Sequence, residues 1–440
     1  MPTRLSRRHF LQSSAALAGV GYLSCRAAAA PGDKLNIAVI GVAGRGGDNM
    51  NACAATENIV ALCDVDENNL NKAGARFPSA KKFFDFREML ADPKGIDAVV
   101  ISSTDHTHAP ASVRAMRKGL HVYSEKPLGH TVGEARLVRA TYLARKDKIA
   151  TQMGTQIHAE PTYRRVVEAV QAGVIGNVTE AHVWCNRFSN QGAPPTGSKP
   201  VPAHLKWDLW LGPAPFREYQ DGYLPGNLTW NRFWDIGNGI LGDMGSHLID
   251  LPYWALALTH PTSCQADAPT AHPVIYPTKL TCTWEHPKRG DGPHEQACKV
   301  IWYDGHAKPA SLLGVDVKGY GIGVLFVGDK GKILADYGRK TVILNDANAA
   351  APEVKQTIPP SKGHHQEWLL ACKGKPAETL CNFDYSGRLI EHNLLGVVAH
   401  RTGKKIEYDA KTGKATNASE ADKFINKEYR KGWEFPVEQS

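Results

Sequence analysis

A short apolar run that empties into glycine constrains this chain most. Leu35-Asn36-Ile37-Ala38-Val39-Ile40 is nearly continuous and rich in β-branched residues, the pattern of a strand buried on both faces. It leads directly into Gly41-Val42-Ala43-Gly44-Arg45-Gly46-Gly47 and a helix-compatible segment from Asp48. A glycine turn between strand and helix lets backbone N–H groups approach a pyrophosphate at the positive end of the helix. The spacing departs from the ideal pattern, with Ala43 in the second position and Gly44 after it. A second strand, Ile59-Val60-Ala61-Leu62-Cys63, ends at Asp64, 18 residues beyond Gly46. An acid there accepts hydrogen bonds from the adenine ribose hydroxyls and repels a 2′-phosphate. The expectation is a dinucleotide site taking NAD, with NADP less favoured. Asp66 competes for the ribose role, and Arg45 is within reach of a phosphate.

Two further strands follow at α/β spacing. Asp97 to Ser102 leads to Thr104-Asp105-His106-Thr107-His108, and Leu120 to Ser124 leads to Glu125-Lys126-Pro127. Ligands of open parallel sheets bind outside the carboxyl ends of the strands. Thr104, His106, His108, Glu125 and Lys126 are therefore expected at the cofactor crevice. Gln152, after a short strand, joins them as a candidate for the nicotinamide ribose. With 440 residues and about 150 per domain, the chain has room for two or three domains. The expected division is 33–155 for the dinucleotide domain and 156–440 for a second domain.

Residues 1–30 read as an address. Ser6-Arg7-Arg8-His9-Phe10-Leu11 precedes a weakly apolar run and the small residues Ala27 to Ala30. The paired arginines resemble the twin-arginine (Tat) export signal, which implies passage through the Tat machinery to the periplasm. This segment holds four arginines and no acid, so a chain starting near Pro31 falls from a net charge of +8 to +4. No basic block interleaved with aromatics remains, which argues against nucleic acid. No apolar run reaches the roughly 18–20 residues needed to span a bilayer. The eight cysteines from Cys53 to Cys381 form no Cys-x-x-Cys pair and read as buried thiols, with disulfides made after export as the alternative.

Gly41 to Gly46, Asp64, Thr104 to His108, Glu125-Lys126-Pro127 and the later Gly237-Asn238-Gly239-Ile240-Leu241-Gly242-Asp243-Met244-Gly245-Ser246-His247 occur together. In this combination the chain resembles the Gfo/Idh/MocA oxidoreductases, a family of sugar and cyclitol dehydrogenases with a branch of NAD-dependent glycosidases. The resemblance implies an α/β chain: an N-terminal NAD-binding Rossmann fold and a C-terminal α+β domain. The latter carries a large open, predominantly antiparallel sheet, often used to pair subunits into homo-oligomers. Asp243 and His247, four apart, share one face if a helix starts after Gly242, and Asp250 continues it. The resemblance sets this pair with Lys126 at the substrate. His247 would be the general acid/base, Lys126 a charge beside the reacting oxygen, and Asp243 a ligand of a substrate hydroxyl or of the histidine. No metal is required. A metal held by Asp243, His247 and either His106 or His108 is the alternative.

Substrate contacts are expected from His158, Tyr163 and Arg164, which follow the crossing into the second domain. Six of the ten tryptophans fall between Trp184 and Trp254, and one or two of them should reach the cleft, where flat rings meet sugar C–H faces. Gly192 to Pro202 reads as a loop, and Ser386 to Thr402 as an amphipathic helix. The substrate is then a sugar, cyclitol or glycoside. A redox-neutral glycosidase working by transient oxidation, and a non-catalytic dinucleotide- or sugar-binding protein, are the competing readings. The charged tail after Lys404 suggests no role.

Overall fold

The computed structural model describes residues 34–187, 193–224, 228–291, 295–305, 307–375 and 379–435. The export signal read over residues 1–30 lies outside these, as does Gly192 of the proline-rich loop. Strands β1 (Asn36–Ile40), β2 (Asn58–Cys63), β3 (Lys81–Phe83), β4 (Ala98–Ile101), β5 (His121–Ser124) and β6 (Thr151–Met153) form a six-stranded sheet in the order β3-β2-β1-β4-β5-β6. Every pairing in it is parallel. This is the Rossmann order, and the crevice opens where the order reverses between β1 and β4. The strands are apolar throughout because helices cover both faces: Ile37, Val39, Val99 and Val100 have no exposed surface.

The helix after β1 runs over Arg45–Ala54, three residues earlier than Asp48. Gly44, with φ of +51°, turns the chain so that Arg45 already stands in the first turn. The polar cluster after β4 also enters a helix, Asp105–Arg117. Successive residues there rotate by about 100°, so His106 and His108 cannot both face one crevice.

The second domain is built on a nine-stranded sheet. Its strands are β7 (Val178–Cys185), β8 (Ser263–Asp267), β9 (Leu280–His286), β10 (Cys298–Asp304), β13 (Ile322–Gly328), β14 (Gly331–Ala335), β15 (Lys340–Leu344), β16 (Ile406–Asp409) and β17 (Lys414–Ala415). A separate hairpin is made by β11 (Ser311–Leu312) and β12 (Val315–Asp316). The order β15-β14-β13-β7-β10-β9-β8-β16-β17 is antiparallel except for the β7–β10 pair. Alternation is clean in β9, where Leu280, Cys282, Trp284 and His286 face inward.

The long helix Phe383–Thr402 packs on that inner face. Its N-terminus is capped by the Asn382 side chain, which accepts from the Asp384 and Tyr385 amides. It is not amphipathic as its sequence suggests: Glu391, His392, Asn393 and His400 are buried along with its leucines. The helix lies between two layers. A side chain at Gly396 would strike Leu241, Trp284 and Cys282, and one at Gly387 would strike Arg139 of the Rossmann helix Val132–Leu143. The eight cysteines of the described residues are free and buried.

Candidate active site

A cleft of about 1280 Å³ runs along the carboxyl ends of the Rossmann strands and is closed on its far side by the second domain. Pockets for drug-sized ligands are about 300–1,000 Å³, so this one has room for an extended dinucleotide and a small partner. Its wall follows the strand order. Asp64 and Val65 come from the end of β2, Phe84 and Phe86 from beyond β3, Gly41, Ala43, Gly44 and Arg45 from the turn after β1, Thr104, Asp105 and His108 from beyond β4, and Glu125 and Lys126 from beyond β5.

Asp64 ties the first two turns together. Its carboxylate accepts the Val42 amide at 3.0 Å and the Asp66 amide at 2.9 Å. Burial pushes its pKa up, and those two amides oppose the shift. Asp66 is turned outward as the cap of the helix Glu67–Arg76, so it does not compete with Asp64. Glu125 accepts from Asn49 at 2.9 Å and from Gln156 at 3.0 Å, with its carboxyl raised by burial. The glycine turn, the exposed amide end of the helix Arg45–Ala54 and the inward Asp64 fit a dinucleotide: a close backbone approach for pyrophosphate and an acceptor for ribose.

Lys126 meets Asp243 across the domain boundary in a direct ion pair, with 15% and 6% of the side chains exposed. Burial disfavours the ammonium, but Asp243, Glu125 and Asp105 outweigh it and raise the lysine's pKa. Burial likewise opposes the Asp243 carboxylate, and Lys126 holds it below the usual range. Asp243 and His247 share one face of the helix Gly239–Leu248, which begins before Gly242. Burial and the Lys126 charge hold the His247 imidazole down to about 3, so the ring is neutral at ordinary pH. Tyr163 donates its hydroxyl hydrogen bond to the His247 carbonyl at 2.8 Å.

Several predicted contacts lie elsewhere. His106 is fully buried with Nε2 against the Trp210 and Leu211 carbonyls. His108 reaches the cleft wall, but its nitrogens face the Pro127 and Ser103 carbonyls. Neither offers a nitrogen to Asp243 and His247, so the three-residue metal arrangement is not assembled among the described residues. Gln152 is buried and donates to the His364 carbonyl rather than facing the cleft. His158 is buried, bonded to Asp250 at 2.8 Å and stacked on Trp254 at 3.7 Å. Asp250 therefore does not continue the face of Asp243; it starts the next helix and holds His158 and Tyr385. Arg164 is committed to Glu367 and the His158 carbonyl, and Tyr163 supports His247 from behind. All four are drawn away by buried partners that only the fold supplies.

The cleft also holds Asp105, from the polar cluster after β4, and several residues of the second domain. Asp105 is 3% exposed, its carboxyl raised well above the ordinary value by burial, and its Oδ2 has no partner among the described residues. Gln156, Glu160, Arg187 and Tyr337 line the second-domain side. Among the clustered tryptophans Trp210 and Trp230 line the cleft, while Trp184 and Trp234 pack in the core.

The chain matches the family model described as "Oxidoreductase family, NAD-binding Rossmann fold" over residues 35–154, and that described as "Oxidoreductase family, C-terminal alpha/beta domain" over 160–435. Among curated proteins it is 28% identical over 151 residues to inositol 2-dehydrogenase 1 of Saccharopolyspora erythraea, covering 34% of this chain and 44% of that one. It is 32% identical over 140 residues to a glycosyl hydrolase family 109 protein of Stenotrophomonas maltophilia, covering 29% and 31%. The chain thus spans from about a third to nearly half the length of such relatives. Among solved structures, the WlbA dehydrogenase of Bordetella pertussis in complex with NADH and UDP-GlcNAcA shares the fold at a TM-score of 0.61, with 16% identity over 86% of this chain and 99% of that one. A levoglucosan dehydrogenase in complex with NADH and levoglucosan does so at 0.58, with 17% identity over 85% and 99%. With one family model covering the Rossmann domain and the other covering more than half of the chain, the protein belongs to the Gfo/Idh/MocA oxidoreductase family and carries its NAD-binding Rossmann fold.

Proposed function

We propose that the protein is an NAD-dependent oxidoreductase acting on a secondary alcohol of a sugar, cyclitol or glycoside. The observation that carries this reading is the Lys126–Asp243 pair beside a neutral His247, in the same cleft as Asp64 and the glycine turn. Nicotinamide, when bound, accepts or returns hydride at the carbinol carbon. Lys126, kept charged by three carboxyl groups, favours negative charge developing on the reacting oxygen. His247, kept neutral, has a lone pair for the hydroxyl proton. Asp243 fixes Lys126 and supplies the negative charge that favours the imidazolium as it forms. Trp210 and Trp230 offer apolar faces to a sugar ring.

The likeness to a glycosyl hydrolase family 109 protein favours a second reading: the same oxidation used transiently, followed by elimination of the glycosidic group and return of the hydride. That route needs a further base for the proton next to the ketone. Tyr163, His158 and His106 do not line the cleft, whereas Asp105, Glu160 and Tyr337 do. Export through residues 1–30 to the periplasm belongs to the same proposal and rests on the paired arginines, the weakly apolar run and the small residues that follow. Assembly through the second-domain sheet rests on the family resemblance.

Incubating the protein with NAD and a panel of inositols, anhydrosugars and free sugars, while following absorbance of reduced nicotinamide, tests the first reading. Nitrophenyl glycosides with chromophore release test the second. Turnover in either assay that is lost in His247→Asn, with NAD binding retained, is expected. Turnover that survives His247→Asn would sink both.

A further inference from the structure

Asp64 marks the adenosine end of the cleft, and the wall opposite it does not come from the Rossmann domain. Residues 204–206 of the second domain cross back and pair with the loop after β2. The His204 carbonyl accepts the Glu67 amide at 2.8 Å, the Lys206 amide donates to Val65 at 2.9 Å, and Leu205 bridges to Asp66. The Lys206 ammonium sits 4.7 Å over the Phe84 ring. The chain then enters the short helix Trp207–Leu211, whose Leu209 and Trp210 line the cleft opposite Phe84 and Phe86. This roof is pinned from outside by the last described residues. Arg430 donates to the Gly212 carbonyl at 2.9 Å and the Asp208 carbonyl at 2.6 Å. Trp433, 3% exposed, stands edge-on to Phe86 at 5.8 Å, with the Arg87 guanidinium 3.8 Å over its ring. Arg87 and Arg114 bond the Gly432 and Glu434 carbonyls, and Lys427 pairs with Glu134 at 2.7 Å.

The tail thus grips the roof with Arg430 and the Rossmann helices with Trp433 and Lys427. Phe86 and Trp210 both line this cleft, and displacing the roof from it breaks the contacts to the tail. From this arrangement we propose that residues 427–435 form a clasp that makes the dinucleotide a resident, slowly exchanging cofactor. The proposal rests on the dinucleotide-binding reading above and goes beyond it by naming what controls exchange.

The full-length chain is loaded with radiolabelled NAD, then chased with excess unlabelled NAD while label retained on the protein is followed. Wild-type protein should hold the label through desalting, and Arg430→Ala and Trp433→Ala should release it about tenfold faster or more, since loosening contacts acts mainly on off-rate. Should Trp433→Ala fail to fold, Asp208→Asn weakens the same clasp at a carboxylate with 70% of its side chain exposed. Thermal melts of each variant confirm that the fold is intact. Equal release from wild-type and folded variants, or wild-type release within the mixing time, overturns the clasp and leaves the dinucleotide site standing. Absence of any NAD binding overturns both.

Discussion

Burial opposes the charge of Lys126, but Asp243, Glu125 and Asp105 face it together and raise its pKa. Replacing it with methionine leaves Asp243 buried without its cation, and an uncompensated buried charge costs about 3–5 kcal/mol. Lys126→Met should lower kcat/KM by about 100-fold or more, with NAD still bound and a lower melting midpoint. An unchanged kcat/KM would remove Lys126 from the mechanism. His247 yields a pH prediction. A base must be neutral to accept a proton, and this imidazole is held down to about 3, so oxidation should show no acid limb near the ordinary histidine value of 6.5. Lys126, raised above 10.5, adds no limb below that. A pH–rate profile that halves near pH 6.5 would contradict this. At this scale the sequence placed Lys126, Asp243 and His247 in one cleft, since their motifs sit at a strand end and on a helix face. It misled for His158, Arg164 and Gln152, because an imidazole, a guanidinium and an amide find buried partners as readily as ligands.

Elements decide where those residues stand. In the turn after β1, a methyl group on Gly46 would lie 1.9 Å from the Gly41 carbonyl oxygen, whereas one on Gly44 would meet nothing within 4 Å. Gly44 instead needs its positive φ of 51° with ψ of −126°, a backbone conformation that other residues rarely adopt, at a strain of roughly 1–3 kcal/mol. Gly46→Ala should therefore abolish NADH binding followed by fluorescence, while Gly44→Ala weakens it modestly; equal effects would contradict the geometry. The helix Gly239–Leu248 is held by Tyr163, whose hydroxyl reaches the His247 carbonyl. Tyr163→Phe removes one buried bond worth about 1 kcal/mol. It should lower kcat several-fold with KM little changed, and a change confined to KM would assign Tyr163 to substrate instead. Strands β1, β2, β4 and β5 were readable from their apolar runs. The helix Phe383–Thr402 was readable as a helix but not as a buried one, since its polar residues look like a solvent face until the two layers around it are known.

Across the whole molecule, burial holds many histidines neutral. His106 and His392 are pushed down to about 3, and His130, His286 and His364 well below the ordinary value. The unfolded chain protonates these rings below pH 6.5, whereas the native state does not. Unfolding therefore takes up protons, and stability falls as pH drops. Each such ring contributes about 1.4 kcal/mol per pH unit below 6.5. The melting midpoint should be level above pH 7 and drop by several degrees between pH 6.5 and 5.5. A midpoint constant over that range would mean that some of these rings are charged in the native state.

The sequence by itself determined the Rossmann half and the family, and it pointed to a candidate site, because a glycine turn, a strand-end acid and an i, i+4 pair are local devices whose geometry follows from spacing. Only the tertiary structure decided which polar residues line the cleft and which are ties within the protein. It also decided that Arg187, Tyr337 and Trp210 share one cleft with residues a hundred or more positions away, and that the C-terminal tail bonds to the end of the helix Trp207–Leu211. Such assignments depend on which partners burial brings together across the domain boundary, and no local pattern in the chain encodes that.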